Sequence, residues 1–342
     1  MIDPPRWLGR RWLSIAATVA ASALLAACGG TPSDLPPAPA APAAPPSASP
    51  AFPVSIEHKF GSTTIPAEPE RVVTVGWNDQ DFVLALGVVP VSTRSWFEDY
   101  SSYPWVSSAL KGQPLPTFSE EIDLEAIAQQ KPDLVLAIYE TIDQATYDKL
   151  SKIAPTVVQS QEYPDEETPW DAQTLLTGTA LGKPDEAQKL VDTVKSKIDA
   201  ARSAHPEFAG KTLVADFGPE NGGHYLLPAG DPRRAVFDAL GFGAQQDQAE
   251  ISEERVDLLD RDVLFVNGAS KESMLASPTF ARLKVVQDDR TLYTTFETPL
   301  AGALAYSGPN ALAYALDVLV PQLAAATDNN PATPVADLSK AG

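Results

Sequence analysis

The 342-residue chain has a single cysteine, Cys28, only three histidines and two methionines. One cysteine excludes a disulfide framework, a CxxC redox pair and a thiolate zinc site. Three scattered histidines with no local His/Asp/Glu cluster give no metal-ligand set, so no metal site and no resident cofactor are expected. Cations are also in deficit, with 25 Lys and Arg against 45 Asp and Glu and a net charge of −20. Such a surface repels phosphate backbones, which argues against nucleic acid as a partner. There is no GxSxG elbow, HExxH helix or Walker loop, and Gly218 to Gly223 reads as a turn rather than a phosphate cradle. No catalytic residues are assigned, and an enzyme is the weaker functional class.

What is present begins at the N-terminus. Arg6, Arg10 and Arg11 precede an apolar, Ala-rich stretch from Trp12 to Ala27, in the order of a secretory signal. That stretch is shorter than the about 20 residues needed to span a bilayer. It ends in Leu25-Ala26-Ala27-Cys28-Gly29-Gly30, which resembles a lipobox, with the chain's one cysteine at the expected cut. Residues 1–27 are therefore read as a lipoprotein signal and Cys28 as the lipid attachment site, placing the mature chain on the extracytoplasmic face of a bacterial membrane. Arg10-Arg11 leaves export by the general or the twin-arginine route open. The signal holds three Arg and one Asp, so its removal leaves a net charge of about −22. From Thr31 to Pro53, nine of 23 residues are proline and most of the rest are Ala or Ser. Residues 28–53 cannot bury a core and are expected to form an extended, lipidated tether, in which 31–53 reach roughly 70 Å at polyproline rise.

Beyond the tether, short apolar runs alternate with amphipathic stretches. Strands are expected at 71–75, 88–93, 133–138 and 156–159, with helices at 79–86, 122–130 and 144–153. Continuous Val/Leu/Ile runs, without polar alternation, point to strands buried on both faces of a parallel sheet. A helical stretch over 170–205, punctuated by Gly182-Lys183-Pro184, divides into a short helix and a long one. Strands at 211–217, 224–227, 263–267 and 291–294 follow, with helices at 233–240, 251–259 and 311–323. Ile122 lies 11 residues before Asp133-Leu134-Val135-Leu136, and Ile251 lies 11 before Asp262-Val263-Leu264-Phe265. This internal echo favours two related lobes. The fold class is α/β: two doubly wound α/β lobes, residues 54–168 and 210–327, joined by one long helix within a connecting segment at 169–209. Residues 328–342 are expected to be a disordered tail.

Glu57-His58-Lys59-Phe60-Gly61 through Ile65-Pro66, Pro69-Glu70-Arg71-Val72-Val73, Asp79-Gln80-Asp81 through Gly87-Val88-Val89-Pro90-Val91, Asp123-Leu124-Glu125-Ala126-Ile127 through Lys131-Pro132-Asp133-Leu134-Val135, and Ile153-Ala154-Pro155-Thr156-Val157 succeed one another in order. Over residues 54 to about 326 the chain resembles the iron-siderophore substrate-binding proteins of ABC importers, which are class III periplasmic binding proteins. The resemblance implies a monomer with ligand held between two lobes that close only slightly. It also implies a ferric siderophore, of hydroxamate type, as cargo and an ABC importer permease as partner. Haem and cobalamin are the alternatives within the class; a surface scaffold or sensor without transport role is another.

A ferric siderophore brings its own iron ligands, so the protein must supply rings, donors and charge. The residues expected at strand ends are Trp77, Arg94, Trp96 and Tyr139 in the first lobe and Tyr225, Arg233 and Tyr306 in the second. Arg94 and Arg233 are expected to oppose anionic chelate oxygens, and Trp77 and Trp96 to form paired aromatic faces. Each of these has an ordinary alternative in core packing or a surface ion pair. His224 lacks the partners expected of a haem ligand. The resemblance further implies that Glu125 docks to permease arginines. Its second-lobe counterpart is sought on the helix beginning at Arg233, where only Asp238 offers a carboxylate.

Overall fold

The structure is a computed structural model describing residues 52–220, 223–245, 250–330 and 332–340; the signal, Cys28 and nearly all of the tether lie outside these. A β-hairpin, β1 (Val54–His58) with β2 (Gly61–Ile65), opens the described chain. The first lobe then builds β3 (Val72–Thr74), β4 (Ser92–Arg94), β5 (Thr117–Phe118), β6 (Leu134–Ala137) and β7 (Thr156–Val158). They form a wholly parallel sheet in the order β5-β4-β3-β6-β7. Every residue of β3 and β6 is buried, as uninterrupted apolar runs require.

The second lobe contains β8 (Leu213–Glu220), β9 (Gly223–Leu226), β10 (Glu250–Ser252), β11 (Val263–Asn267) and β12 (Thr291–Thr294), in the order β10-β9-β8-β11-β12. Here β8, β11 and β12 are parallel, whereas β9 and β10 add an antiparallel edge. The second lobe is thus mixed rather than purely doubly wound, an arrangement common at the margin of α/β sheets. The expected helix at 251–259 is corrected by the same edge. Ile251 pairs with His224 in β10, and 253–259 follows as 3₁₀ turns kinked at Arg255.

The internal echo has a structural basis. Asp133, just before β6, accepts hydrogen bonds from the backbone N–H groups of Glu70 (2.8 Å) and Arg71 (2.9 Å), just before β3. Asp262, just before β11, accepts one from the N–H of Thr212 (2.8 Å), just before β8. The two aspartates clasp equivalent parallel pairs, so positions counted back from each are equivalent between lobes.

The connecting segment comprises Trp170–Ala180 and Pro184–Ala204. Pro184 occupies the first helical turn with Asp185 and Glu186, which suits the positive end of a helix. Ala187, Val191, Val194 and Ile198 recur at three- and four-residue intervals and are the buried face of this 21-residue spine. One apolar cluster joins Leu84, Tyr100 and Val106 of the first lobe to Leu213, Phe237 and Phe265 of the second, through Ile198 and through Leu312, Leu316 and Leu319 of the helix Pro309–Thr327. A shared core of this kind resists the lobes swinging apart.

The C-terminal tail is also corrected in part. Val335 and Leu338 are buried in that cluster. Val335 N–H donates to Asp289 Oδ2 (2.9 Å), and Ala336 N–H to Gln322 Oε1 (2.7 Å). Two apolar side chains and two backbone bonds hold residues 332–340 against the second lobe.

Candidate functional site

A cavity of about 970 Å³ lies between the lobes. Its walls come from the C-terminal ends of parallel strands, where open α/β sheets place ligands. Trp77 follows β3, Trp96 and Phe97 follow β4, Tyr139 follows β6, and Asp165, Glu166 and Glu167 follow β7. Across from them stand Phe217 of β8, Tyr225 of β9, the 228–233 loop, Asn267 at the end of β11, and Phe296 after β12. With Phe237 and Phe265, nine aromatic side chains line the space. Its volume and apolar character suit a bulky small molecule.

The first-lobe wall is built from below. Asp79, fully buried, accepts hydrogen bonds from the N–H groups of Gly76 (3.0 Å), Ile138 (3.0 Å) and Tyr139 (3.1 Å) and from Gln173 Nε2 (2.9 Å). One carboxylate therefore fixes the two loops that carry Trp77 and Tyr139. A side chain at Gly76 would occupy the space of the Asp79 carboxyl group, so glycine is required there. Trp77 and Trp96 meet edge to face with centroids 5.6 Å apart, a geometry favoured by the ring quadrupoles.

Of the sequence-predicted residues, Trp77, Trp96, Tyr139, Tyr225 and Arg233 line the cavity. Arg94 does not. It is 7% exposed, forms a buried ion pair with Glu140, donates to the Glu120 carbonyl, and lies 3.4 Å from the centroid of the Trp77 ring. Arg94 backs the wall instead of facing the cavity, because the buried Glu140 charge claims its guanidinium. Burial pushes the Glu140 carboxyl up to about 7, against the pull of Arg94 and aided by Glu166 and Asp79. Tyr306 is likewise corrected: 1% exposed, it packs behind Trp96 (5.1 Å) and Tyr100 (4.3 Å). Arg233 does reach the cavity, but Asp231 holds it through two hydrogen bonds of 2.9 and 2.7 Å, while Phe217 and Tyr225 flank it.

His224 is buried in β9. Its Nδ1 is 2.7 Å from Asp216 Oδ2, and its Nε2 is 3.4 Å from Glu253 Oε1. Nδ1 is taken by Asp216, Nε2 points toward Glu253 without a hydrogen bond, and the ring does not line the cavity, so it is not placed to hold haem iron there. Among the described residues, no group of three or more His, Cys, Asp or Glu could hold a metal ion.

Asp165, Glu166, Glu167, Phe217, Asn267 and Phe296 escaped the sequence reading. Phe217 and Asn267 carried a usable signal, since each is the last residue of an expected strand. The acidic run at 165–167 falls between the expected strand at 156–159 and the helix from Trp170, where no element was expected.

On the outer surface, Asp123 caps the helix Leu124–Gln129 through hydrogen bonds from the N–H groups of Glu125 (3.0 Å) and Ala126 (2.9 Å), leaving the Glu125 side chain exposed. Asp238 has no comparable freedom. Its Oδ1 accepts from Nε of the fully buried Arg234 at 2.8 Å, so its carboxylate neutralises an interior cation. Counting back eight residues from Asp133 and from Asp262 instead equates Glu125 with Glu254, which is exposed. The buried Ile127 and Val256 hold equivalent positions beneath them.

Residues 72–298 match the family model described as periplasmic binding protein. The Fe(3+)-citrate-binding protein YfmC of Bacillus subtilis is 28% identical over 256 residues, covering 70% of this chain and 80% of that protein. A periplasmic solute binding protein from Mycobacterium smegmatis shares 35% identity at a TM-score of 0.74, covering 79% of this chain and 97% of the other. PiaA of Streptococcus pneumoniae in complex with ferrichrome shares 26% identity at a TM-score of 0.66, covering 80% and 99%.

Proposed function

The chain belongs to the periplasmic binding protein family, and from that premise we propose that it captures a ferric siderophore between its lobes and delivers it to an ABC importer. The observation that carries this reading is the aromatic cavity of about 970 Å³ spanning both lobes. A ferric siderophore encloses its metal in its own oxygens, and the resulting chelate needs flat apolar faces and a few oriented polar groups. Ferrichrome in the PiaA complex supports a hydroxamate ligand, and the placement of His224 outside the cavity lining, its Nδ1 held by Asp216, disfavours haem. In this proposal the protein acts as a monomer, carries out no catalysis and uses no resident cofactor.

Trp77 and Trp96 supply a direct readout. Titration with ferric hydroxamates is expected to quench tryptophan emission at micromolar concentration or below, and Trp77→Phe with Trp96→Phe should remove most of the signal. Quenching by haemin alone, with no response to any ferric chelate, would overturn the assignment.

Delivery requires one docking contact per lobe, and Glu125 with Glu254 meets that need better than Glu125 with Asp238. Reversing either charge, as Glu125→Arg or Glu254→Arg, is expected to cut stimulation of the permease ATPase at least tenfold, since opposed like charges repel at an interface. The double variant should abolish stimulation while chelate affinity holds. Loss of chelate affinity in these variants would count against docking. Export and acylation at Cys28 complete the proposal by keeping the receptor within tether reach of its permease. Intact-mass measurement of membrane-extracted protein would read the acyl chains directly.

A further inference from the structure

YfmC is named for ferric citrate and PiaA was crystallised with ferrichrome, so the two relatives point to cargoes of different charge. Ferric citrate complexes are anionic, whereas ferrichrome is neutral. The charges around the cavity discriminate between these classes. Among the described residues, Arg233 is the only Lys or Arg in the wall, and Asp231 holds it in a two-point ion pair. Arg94 stands behind Trp77, paired with Glu140. Lys59 reaches Asp165 Oδ1 at 2.5 Å. Glu166 and Glu167 remain, and among the described residues neither forms an ion pair; Glu166 accepts only from the neutral Thr141 hydroxyl at 3.0 Å.

A second observation comes from the opposite lobe. Asn267 is 4% exposed and lines the cavity, and its Oδ1 has no hydrogen-bond donor in the protein. A buried acceptor left unpaired costs free energy, and a donor on the ligand removes that cost. Between these acceptors lie the aromatic faces, which attract cations through their quadrupoles. Burial, together with the nearby charge of Glu166, raises the Tyr139 hydroxyl to about 12, so that ring adds a neutral phenol rather than an anion.

We propose that the cavity selects neutral or cationic ferric hydroxamates over polyanionic chelates, and prefers one bearing a pendant ammonium group received by the Glu166 and Glu167 carboxylates, while Asn267 Oδ1 accepts from a second donor, such as an amide N–H, elsewhere on the same ligand. The proposal rests on the ferric-siderophore reading above and narrows it. A guanidinium-lined site for citrate or catecholate oxygens would need a free fork, and both candidate arginines are already engaged.

The test compares two ligands with one iron shell and different charge, and sets them beside anionic chelates. Ferrioxamine B carries a terminal ammonium, its N-acetylated derivative is neutral, and ferric citrate and a ferric tris-catecholate are anionic. The unmodified protein is expected to bind ferrioxamine B roughly tenfold more tightly than the acetylated form at low ionic strength, as a charge-assisted hydrogen bond implies. The gap should shrink with added salt and close in Glu166→Gln/Glu167→Gln. Equal affinity for the two ferrioxamines, or tightest binding of an anionic chelate, would overturn the charge preference while leaving siderophore capture intact. Failure of all four to bind would overturn siderophore capture, and the charge preference with it.

Discussion

Replacing Asp79 by Ala is expected to destabilise the protein by about 3 to 5 kcal/mol and to weaken chelate binding at the same time. The carboxylate takes four hydrogen bonds inside the first lobe, from Gly76, Ile138, Tyr139 and Gln173, with no solvent exposure. Alanine leaves three backbone N–H groups without acceptors, each costing about 1 to 3 kcal/mol when buried, while the Gln173 amide keeps its bond to Asn78 Oδ1 (2.8 Å). Partial repair by entering water holds the sum below the simple total. A loss of that size lowers the melting temperature by roughly 10 °C in a chain of this length. The functional consequence follows from geometry, because Trp77 and Tyr139 ride on the loops that Asp79 ties together, and Gln173 adds the segment leading to the spine. Asp79→Asn retains one acceptor oxygen but turns an NH₂ toward donors, so an intermediate loss is expected. Thermal melts followed by circular dichroism, with tryptophan quenching on the same samples, measure both effects. A melting temperature within about 2 °C of the parent would remove Asp79 from its role as a fastener.

The same residues show why some of the molecule could be read from sequence and some could not. Val72–Thr74, Leu134–Ala137 and Val263–Asn267 were legible because a strand buried on both faces must be apolar throughout. Their parallel arrangement then fixed which ends face the cavity, and Trp77, Trp96 and Tyr139 followed, whereas Tyr225 reaches it from the antiparallel β9. The segment after Glu250 misled because its apolar residues, Ile251, Val256, Leu258 and Leu259, satisfy a strand followed by tight turns as well as a helix. The choice was made by the exposed edge of β9, a tertiary partner that local spacing does not announce. Arg94 illustrates a different limit: it sits on the expected strand, yet its direction depends on Glu140, 46 residues later. Charge type at a strand end reveals the chemistry available, while the partner that uses it becomes visible only once the chain has folded. Asp238 shows the same limit, since its ion pair with Arg234 is not legible from local sequence.

Replacing Arg94 by Met is expected to lower chelate affinity roughly tenfold or more and to make stability depend steeply on pH. The guanidinium lies 3.4 Å from the Trp77 ring centroid in a buried setting, where a cation under an aromatic face contributes about 2 kcal/mol or more. Met fills much of the volume but neither fixes the ring nor neutralises Glu140. The pH dependence has a definite sign. In the parent protein, burial already holds the Glu140 carboxyl at about 7 when folded, above its ordinary 4.5. A raised folded value means that this group's contribution to stability is fully present below about 4.5 and is lost as pH climbs through about 7. Without Arg94 the folded value rises further, so the variant's deficit should be small near pH 5, where the carboxyl is protonated in the fold, and should widen through neutrality. At the alkaline end the deficit approaches the about 3 to 5 kcal/mol of an orphaned buried charge. The double variant Arg94→Met/Glu140→Gln removes the charge as well as its partner; it should recover most of the stability at pH 8 and flatten the profile, yet keep the affinity defect because Trp77 still lacks its support. Denaturant melts of the parent, Arg94→Met, Glu140→Gln and the double variant at pH 5 and pH 8 separate these effects as a double-mutant cycle. An Arg94→Met protein with the parent's affinity and the parent's pH profile would show that the ion pair beneath Trp77 supports neither the wall nor the fold.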